Sequence, residues 1–552
     1  MGTKEVMPSA EEFAVGRINK SNINMNYLKF ILIGFCSLVL LVSCSDNSTG
    51  VDDDGDDEDS DEETETFDGP MYSDDYTSRS DWSDRGEWDL ENVHDPTVVK
   101  DGDFFYMYQT NASYGNVHQG HGNYPYRRSK DLVNWEYRGA AFSEVQSWVK
   151  DSLNSIRAEM DLPPIENPNY GFWAPHITKV NGTYRMYYSV IIDNPIEGDD
   201  PNTSWTERAF IGLAESDDLS SNNWEDKGMV IHSVADGEET YDRDGGNDWS
   251  AYFKFNAIDP SYVTTPEGEH WLIYGSWHSG IAAVELDPET GKPYELTDLE
   301  DYGTKIAGRG NSRWQPLEAP EIIYNEETGY YYLFLAYDEL SVAYNTRVVR
   351  SENITGPYYG IDGNNVTNGA EDWPVVTHPY KFDGHHGWVG ISHPSIFQDP
   401  DSGEWFYSSQ GRLPPDISGI NASNAVMMGH VREIYWTDDG WPVVAPERYA
   451  DVPETEITKE DIIGNWEEVT LEYEYQTMQT SYRVEFNEDN TLGGALDGTW
   501  SYDEESQTLT VNDMELIVDN AWDWEISPRS TTITYTGLTS TGRSVWGKKT
   551  GE

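Results

Sequence analysis

Five prolines, Pro96, Pro175, Pro260, Pro320 and Pro394, each follow a short polar or aromatic signal: HDP, WAP, IDP, EAP and SHP. Three of the signals carry a carboxylate. Asp95 and Asp259 stand directly before proline, and Glu318 stands one residue earlier. Three carboxylates converging on one place, ringed by aromatics, suit hydrolysis of a glycosidic bond. That reaction needs one protonated carboxyl to give the leaving oxygen a proton, and a second, ionised one to activate water or attack the anomeric carbon. Crowding raises the pKa of at least one member and so keeps an acid protonated near neutral pH; a third carboxylate can tune and position it. Asp before Pro is also ordinary turn chemistry, so a single pair means little. Three such sites in register with a repeat carry more weight.

The repeat is a hairpin. Each proline opens an apolar or mixed run, followed by a turn with Gly and a run of alternating aromatics: DPTVVKDGDFFYMYQT, APHITKVNGTYRMYYSV, DPSYVTTPEGEHWLIYGS, APEIIYNEETGYYYLFLAY and HPSIFQDPDSGEWFYSSQG. Proline is tolerated at the first position of a strand, where no ladder N–H is required. SKDLVNWEYRG (129–139) and SDDLSSNNWEDKG (216–228), with SENITGPYYG (351–360) as a degenerate relative, read as the outer strands and turn of the same unit. Units of about four strands, recurring at about 60–85 residues with no helical periodicity between them, predict a five-bladed β-propeller. The first strand of each blade would line a central channel. Asp95, the Trp173-Ala174 pair, Asp259, Glu318-Ala319 and His393 are then expected around one mouth of it.

The chain has 552 residues, 37% hydrophobic and 13% aromatic, enough to bury a large core. Its 21 Trp and 36 Tyr suit extended ligand surfaces as well as cores. A formal net charge of −65 argues against nucleic acid and anionic membranes as partners and reads as a heavily solvated acidic surface. Residues 1–44 read as a signal peptide. MNYLKFILIGFCSLVLLVSC (25–44) has Lys29, an apolar run too short to span comfortably, and Ser43-Cys44. L-V-S-C resembles the lipobox of bacterial lipoproteins, with Cys44 lipidated and Met25 as the expected translation start. Cys36 and Cys44 are the only cysteines, so the mature chain would have no disulfide. Residues 45–84 are expected to be an acidic, disordered tether, without the spacing of an EF-hand loop. It resembles the segment after the lipid cysteine in surface-exported lipoproteins. The expected location is extracytoplasmic, at the bacterial outer membrane through the lipid anchor only.

HDP, WAP, NAIDP with a following YGSW, and LEAP together resemble glycoside hydrolase family 43 across about residues 85–450, and within it the endo-acting α-1,5-L-arabinanases. The resemblance implies an inverting enzyme on a five-bladed propeller that cuts internal α-1,5-L-arabinofuranosidic bonds of arabinan or arabino-oligosaccharides. It implies Asp95 as general base, Asp259 as pKa modulator and Glu318 as general acid. Strict alternation along the strand would favour Glu321 over Glu318; the family's acid lies in its E-A-P motif, which selects Glu318. Inversion implies base and acid carboxyls about 6.5–9.5 Å apart, with room for a water. His393 alone reads as a satisfied rim histidine, whereas the resemblance implies that it binds calcium within a water shell in the channel. One histidine is unusual for calcium, and no CxxC or HExxH spacing points to zinc. His385 and His386 are expected on the surface or rim. Asn256 and Ser276 match positions that hydrogen-bond arabinose hydroxyls, and Trp173 either stacks on a sugar or packs within its blade. His94 and His176 are further rim candidates, and His176 departs from the Asp that commonly follows W-A-P. The same three acids serve exo-acting α-L-arabinofuranosidases and β-xylosidases, so exo action stays open. So does a non-catalytic surface glycan-binding propeller, which would not need three aligned acids.

With the propeller expected over 85–452, residues 453–552 form a second domain of short alternating strands: SYRVEFNEDNTLGG (481–494), GTWSYDEESQTLTVND (498–513) and STTITYTGLTSTGRSVWGKK (530–549). They predict a small antiparallel β-barrel. GNWEEVTLEYEY (464–475) is similar to the lipocalin-like C-terminal domain of larger extracellular arabinanases, and no catalytic constellation is visible in it. The chain as a whole is expected to be all-β.

Overall fold

The computed structural model describes residues 67–159, 161, 163–192, 208–235, 253–310, 315–371, 373–415 and 417–551. Cys44 lies outside them, as does most of the expected tether. Each expected hairpin is the inner half of an antiparallel blade. Blade one holds Thr97–Asp101, Phe104–Tyr108, Asn123–Ser129 and Trp135–Phe142. Blade two holds Tyr170–Val180, Thr183–Ile192, Arg208–Ser216 and Glu225–His232. Blade three runs Ser261–Thr264, His270–Tyr274 and Ile281–Asp287, with Lys292–Pro293 and Thr304–Ala307 both pairing with its third strand. Blade four holds Leu317–Asn325, Tyr330–Tyr337, Asn345–Ser351 and Val375–Thr377. Blade five holds Val389–Gln398, Trp405–Arg412, Met428–Trp436 and Pro442–Val444. First strands neighbour one another from blade to blade, and the fifth neighbours the first, which closes the ring.

The aromatic runs are buried on both faces because each blade is sandwiched between two others. In Tyr330–Tyr337, Tyr331, Leu333, Leu335 and Tyr337 pack with Val263, Ile273 and Ile281 of blade three. The intervening Tyr332 and Phe334 pack with Ile396, Tyr407 and Ile434 of blade five. Alternation therefore sorts side chains between two neighbours, not between core and water.

Two expectations change. A helix, Ser147–Glu159, connects blades one and two; Val149 and Leu153 are buried one turn apart, with Trp148 and Ile156 packed beside them. Lys150, Asp151 and Asn154 between these positions, and Arg157 buried beside them, dilute the stripe, which hides its period in the sequence. The end of the expected disordered tether is also ordered. Across residues 70–84, the Pro70 carbonyl accepts Trp522 Nε1 at 3.1 Å, and Asp74 accepts Arg448 at 2.7 Å and Arg529 at 3.1 Å. These two guanidiniums hold the Asp74 carboxyl low against the cost of burial. Aromatic and arginine partners thus override an acidic composition that alone reads as solvated chain.

Past blade five an eight-stranded antiparallel sheet curls into a barrel that a Thr491–Thr499 bridge nearly closes. Trp466, Phe486, Trp500 and Tyr535 fill it. The barrel is joined to the propeller by backbone pairing of Tyr380–Lys381 with Gln479–Thr480. Buried Lys548 adds a second tie, reaching Glu447 at 2.8 Å, Asp523 at 2.9 Å and Glu525 at 3.2 Å.

Candidate active site

The local geometry begins with proline. The residue before it has a positive φ in four of the five blades: 47° at Asp95, 53° at Asp259, 49° at Ala319 and 58° at His393. Residues before proline avoid helical conformations, and L side chains avoid positive φ, so this is strain repeated by design of the fold. The kink falls just ahead of the strand in blades one and three and inside it in blades four and five. In blade four the kinked residue is Ala319, and the pairing register slips between Glu318 and Glu321. That slip cancels the alternation that would have set Glu318 apart from the two aspartates.

Each acid is held by groups from another part of the ring. Asp95 Oδ2 accepts Thr110 Oγ1 at 2.6 Å, and its backbone N–H donates to Gln410 Oε1 of blade five at 2.7 Å. Asp259 Oδ2 accepts the Ala319 N–H at 3.1 Å, and its own N–H donates to Ser189 Oγ of blade two at 3.2 Å. Glu318 Oε1 accepts Tyr344 OH at 2.6 Å; its Oε2 accepts Trp277 Nε1 at 2.7 Å and Ser276 Oγ at 3.2 Å. His393 Nδ1 lies 3.0 Å from Asp95 Oδ1 and 3.5 Å from Tyr344 OH.

Burial dominates the electrostatics. It pushes the Asp259 carboxyl up to about 7; His393 opposes this, while Glu318 and Asp95 add to it. Burial likewise raises Glu318, against the Tyr344 hydroxyl, His393 and the Trp277 N–H, with Asp95 adding to the rise. For His393 burial acts downward, but the facing carboxylates of Asp95, Asp259, Glu318 and Glu321 outweigh it and raise its pKa. The cluster thus favours a proton on its buried carboxyls and sets an imidazole with a raised pKa among them.

The residues after the prolines form a second layer. Thr97, Ser261, Glu321 and Ser395 accept the backbone N–H groups of Ile177, Ile322, Ile396 and Val98 at 3.1–3.2 Å, each on the next blade of the ring. Glu321 Oε2 also accepts Ser261 Oγ at 2.8 Å and lies 3.4 Å from His176 Nδ1. Glu321 therefore bonds blade to blade, with both oxygens occupied, and His176 joins it in that layer.

The other candidates separate. Ser276 meets Glu318. Asn256 is fully buried, and its Oδ1 accepts Ser233 Oγ at 2.9 Å. Trp173, half-buried, packs on Ile191, Ala209 and Ile258. His94 is buried, which pushes its pKa down to about 4 against the pull of Asp95. His385 is not at the rim; it lies between propeller and barrel, 3.5 Å from Asp74. Among the described residues no group of three or more His, Cys, Asp or Glu is set to hold a metal. With Nδ1 turned to Asp95, His393 offers one nitrogen, and a cation there would take its remaining ligands from water. Thr110, Gln410, Trp277 and Tyr344 were not singled out from sequence. Trp277 closes the quoted YGSW, whereas Tyr344 sits in no motif.

The raised pKa of Asp259 has a consequence for stability. A carboxyl that binds its proton more tightly when folded contributes stability below its ordinary range, and this is lost as pH rises through about 7. Asp259→Asn, neutral at every pH, should therefore melt a few degrees above the wild type at pH 8 and level with it at pH 4. Equal melting temperatures at both pH values would contradict the burial of a raised carboxyl there.

A family model for glycosyl hydrolases family 43 matches residues 91–442, and one for its C-terminal lipocalin-like domain matches 446–547. An extracellular endo-alpha-(1->5)-L-arabinanase of Thermotoga petrophila is 27% identical over 488 residues, covering 82% of this chain and 93% of the relative. Extracellular endo-alpha-(1->5)-L-arabinanase 2 of Bacillus subtilis is 25% identical over 480 residues, covering 83% and 93%. The crystal structure of endo-1,5-alpha-L-arabinanase from Thermotoga petrophila superposes with a TM-score of 0.64 at 25% identity, covering 84% of this chain and 99% of that one.

Proposed function

Because the chain belongs to glycoside hydrolase family 43, we propose that it hydrolyses internal α-1,5-L-arabinofuranosidic bonds of arabinan with inversion. The observation that carries this reading is the cluster of Asp95, Asp259 and Glu318, with burial raising the pKa of the latter two carboxyls. The relatives named as endo-arabinanases supply the substrate.

Glu318 is the general acid. Tyr344, Trp277 and Ser276 fix both its oxygens, so its proton can be presented to the leaving glycosidic oxygen without reorganisation. Asp95 is the base: Thr110 and the Gln410-bound backbone orient it to take a proton from water as that water attacks the anomeric carbon. Asp259 bonds the backbone N–H of Ala319 beside Glu318, so it positions the acid. His393 Nδ1 faces the Asp95 carboxylate at 3.0 Å. A calcium ion fits only as a water-rich site on the remaining His393 nitrogen, where it would supply further positive charge for the acids. Metal analysis of the purified wild type and His393→Ala tests it, and equal calcium contents would sink the idea. Residues 1–44 would place the enzyme outside the cytoplasm, with Cys44 lipidated; a mass spectrum of the mature N-terminus lacking acyl groups would contradict that anchor.

The experiment is a time course on debranched linear arabinan with product sizes resolved. Mixed oligosaccharides early in the reaction support endo cleavage. Arabinose alone from the first samples would replace it with an exo-arabinofuranosidase, and retained binding without products would leave a glycan-binding propeller.

A further inference from the structure

We infer that the C-terminal barrel is part of the catalytic apparatus: Tyr473, on the segment 471–478 between two barrel strands, is a positioning residue for Glu318. The inference rests on reading Glu318 as the acid.

The donor that fixes Glu318 Oε1 is Tyr344 OH, at 2.6 Å. Tyr344 directly precedes the third strand of blade four, at the end of the turn 338–344. The placement of its hydroxyl therefore depends on that turn. Asp338 opens the turn in the left-handed region, at φ 68°, and its N–H donates to the Pro316 carbonyl two residues before Glu318. Its Oδ2 accepts Asn345 Nδ2 at 3.2 Å, and the same amide donates to the Ala343 carbonyl at 2.9 Å, closing the turn around Tyr344. Leu340, midway along, packs with Ala319 and Tyr344.

The barrel grips this turn from outside. Tyr473 OH donates to Asp338 Oδ2 at 2.8 Å, beside the Arg309 guanidinium on Oδ1. Tyr475 OH donates to Glu339 Oε1 at 2.9 Å, and Gln476 Nε2 bonds Ser341 Oγ at 3.1 Å. Three barrel side chains thus hold three of the first four residues of one turn, and that turn carries the donor of the acid. Attachment of the barrel does not depend on them. Backbone pairing at Tyr380–Lys381 and the Lys548 cluster join the two domains elsewhere. The Tyr473 ring also has its own seat, 4.4 Å beneath the Arg347 guanidinium, which does not use the hydroxyl.

Tyr473→Phe in the full chain keeps the ring and removes only the hydroxyl, which donates to Asp338 and accepts Arg309 Nη2 at 3.1 Å. On linear arabinan, whose leaving alcohol needs a proton, kcat should fall about 5–30-fold with KM unchanged, because small misplacement of a catalytic group is costly. On an arabino-oligosaccharide with a dinitrophenyl leaving group, which departs unprotonated, kcat should match the wild type. Glu318→Gln, run on both substrates, isolates the underlying reading. Its selective loss on arabinan supports the acid assignment, and equal loss on both would overturn that assignment whatever Tyr473→Phe does. An unchanged rate for Tyr473→Phe on arabinan, or an equal loss on both substrates, would overturn the positioning role.

Discussion

Glu318→Gln should lower kcat on linear arabinan by about 10²–10⁴-fold, the usual contribution of a positioned general acid. The amide has nearly the shape of the carboxyl and can still engage Tyr344, Trp277 or Ser276, so substrate binding should survive and KM should change little. What is lost is the group that donates the proton, a carboxyl whose pKa burial raises. The loss should therefore depend on the leaving group: it is full on the polymer and nearly absent with a dinitrophenyl leaving group. Glu321→Gln separates the two glutamates of the EAPE stretch. Glu321 accepts Ser261 and the Ile396 N–H from neighbouring blades, so its replacement should lower melting temperature without that dependence on leaving group. A leaving-group-dependent loss in Glu321→Gln instead would exchange their roles.

The second large effect is at Asp95. Asp95→Ala should reduce kcat/KM by about 10²–10⁴-fold on every substrate, activated or not, because water must still be deprotonated as it attacks. Thr110 and the Gln410-bound backbone remain in place, leaving a space the size of the lost carboxylate. Azide, already an anion, needs no base. Added azide should restore turnover of the dinitrophenyl substrate and yield a glycosyl azide of inverted, β configuration. An α-azide would mean attack from the opposite face, and so a different assignment for Asp95. A gain confined to arabinan without any azide product would also contradict the base role.

Most of the propeller was legible because a proline marks each inner strand, standing just before it in blades one and three and within it in blades two, four and five, and the aromatic runs mark the second. The acids were legible for the same reason: Asp95, Asp259 and Glu318 sit beside those prolines. What periodicity alone could not supply was the register of Glu318. It depends on the positive φ of Ala319, a backbone state that no residue type there announces. The helix Ser147–Glu159 was missed because its four inward apolar positions are interleaved with polar and charged residues. Residues 70–84 were taken as tether because composition reports solvation, whereas Asp74 is claimed by Arg448 and Arg529 from far along the chain. Tyr344 and Tyr473 lie in turns, where no period marks a residue. Tyr473 meets Asp338 across 135 positions of sequence, a contact that only the folded barrel creates.

The barrel thereby changes what the sequence implied about division of labour. Its strands contain no catalytic constellation, yet its segment 471–478 supplies donors to the turn that seats the partner of Glu318. The three acids are drawn from three blades, their fixing groups from all five, and the outermost support from a separate domain. Such a site assembles only when the ring closes and the barrel docks, which places its precision in tertiary structure and not in any one motif.

The most direct test of the account is the anomeric configuration of the first product released from linear arabinan, read by proton NMR before mutarotation. Direct attack by a water that Asp95 deprotonates, opposite an oxygen that Glu318 protonates, predicts the β-anomer as the initial product. An initial α-anomer would contradict it and require a covalent intermediate on one of the same carboxylates.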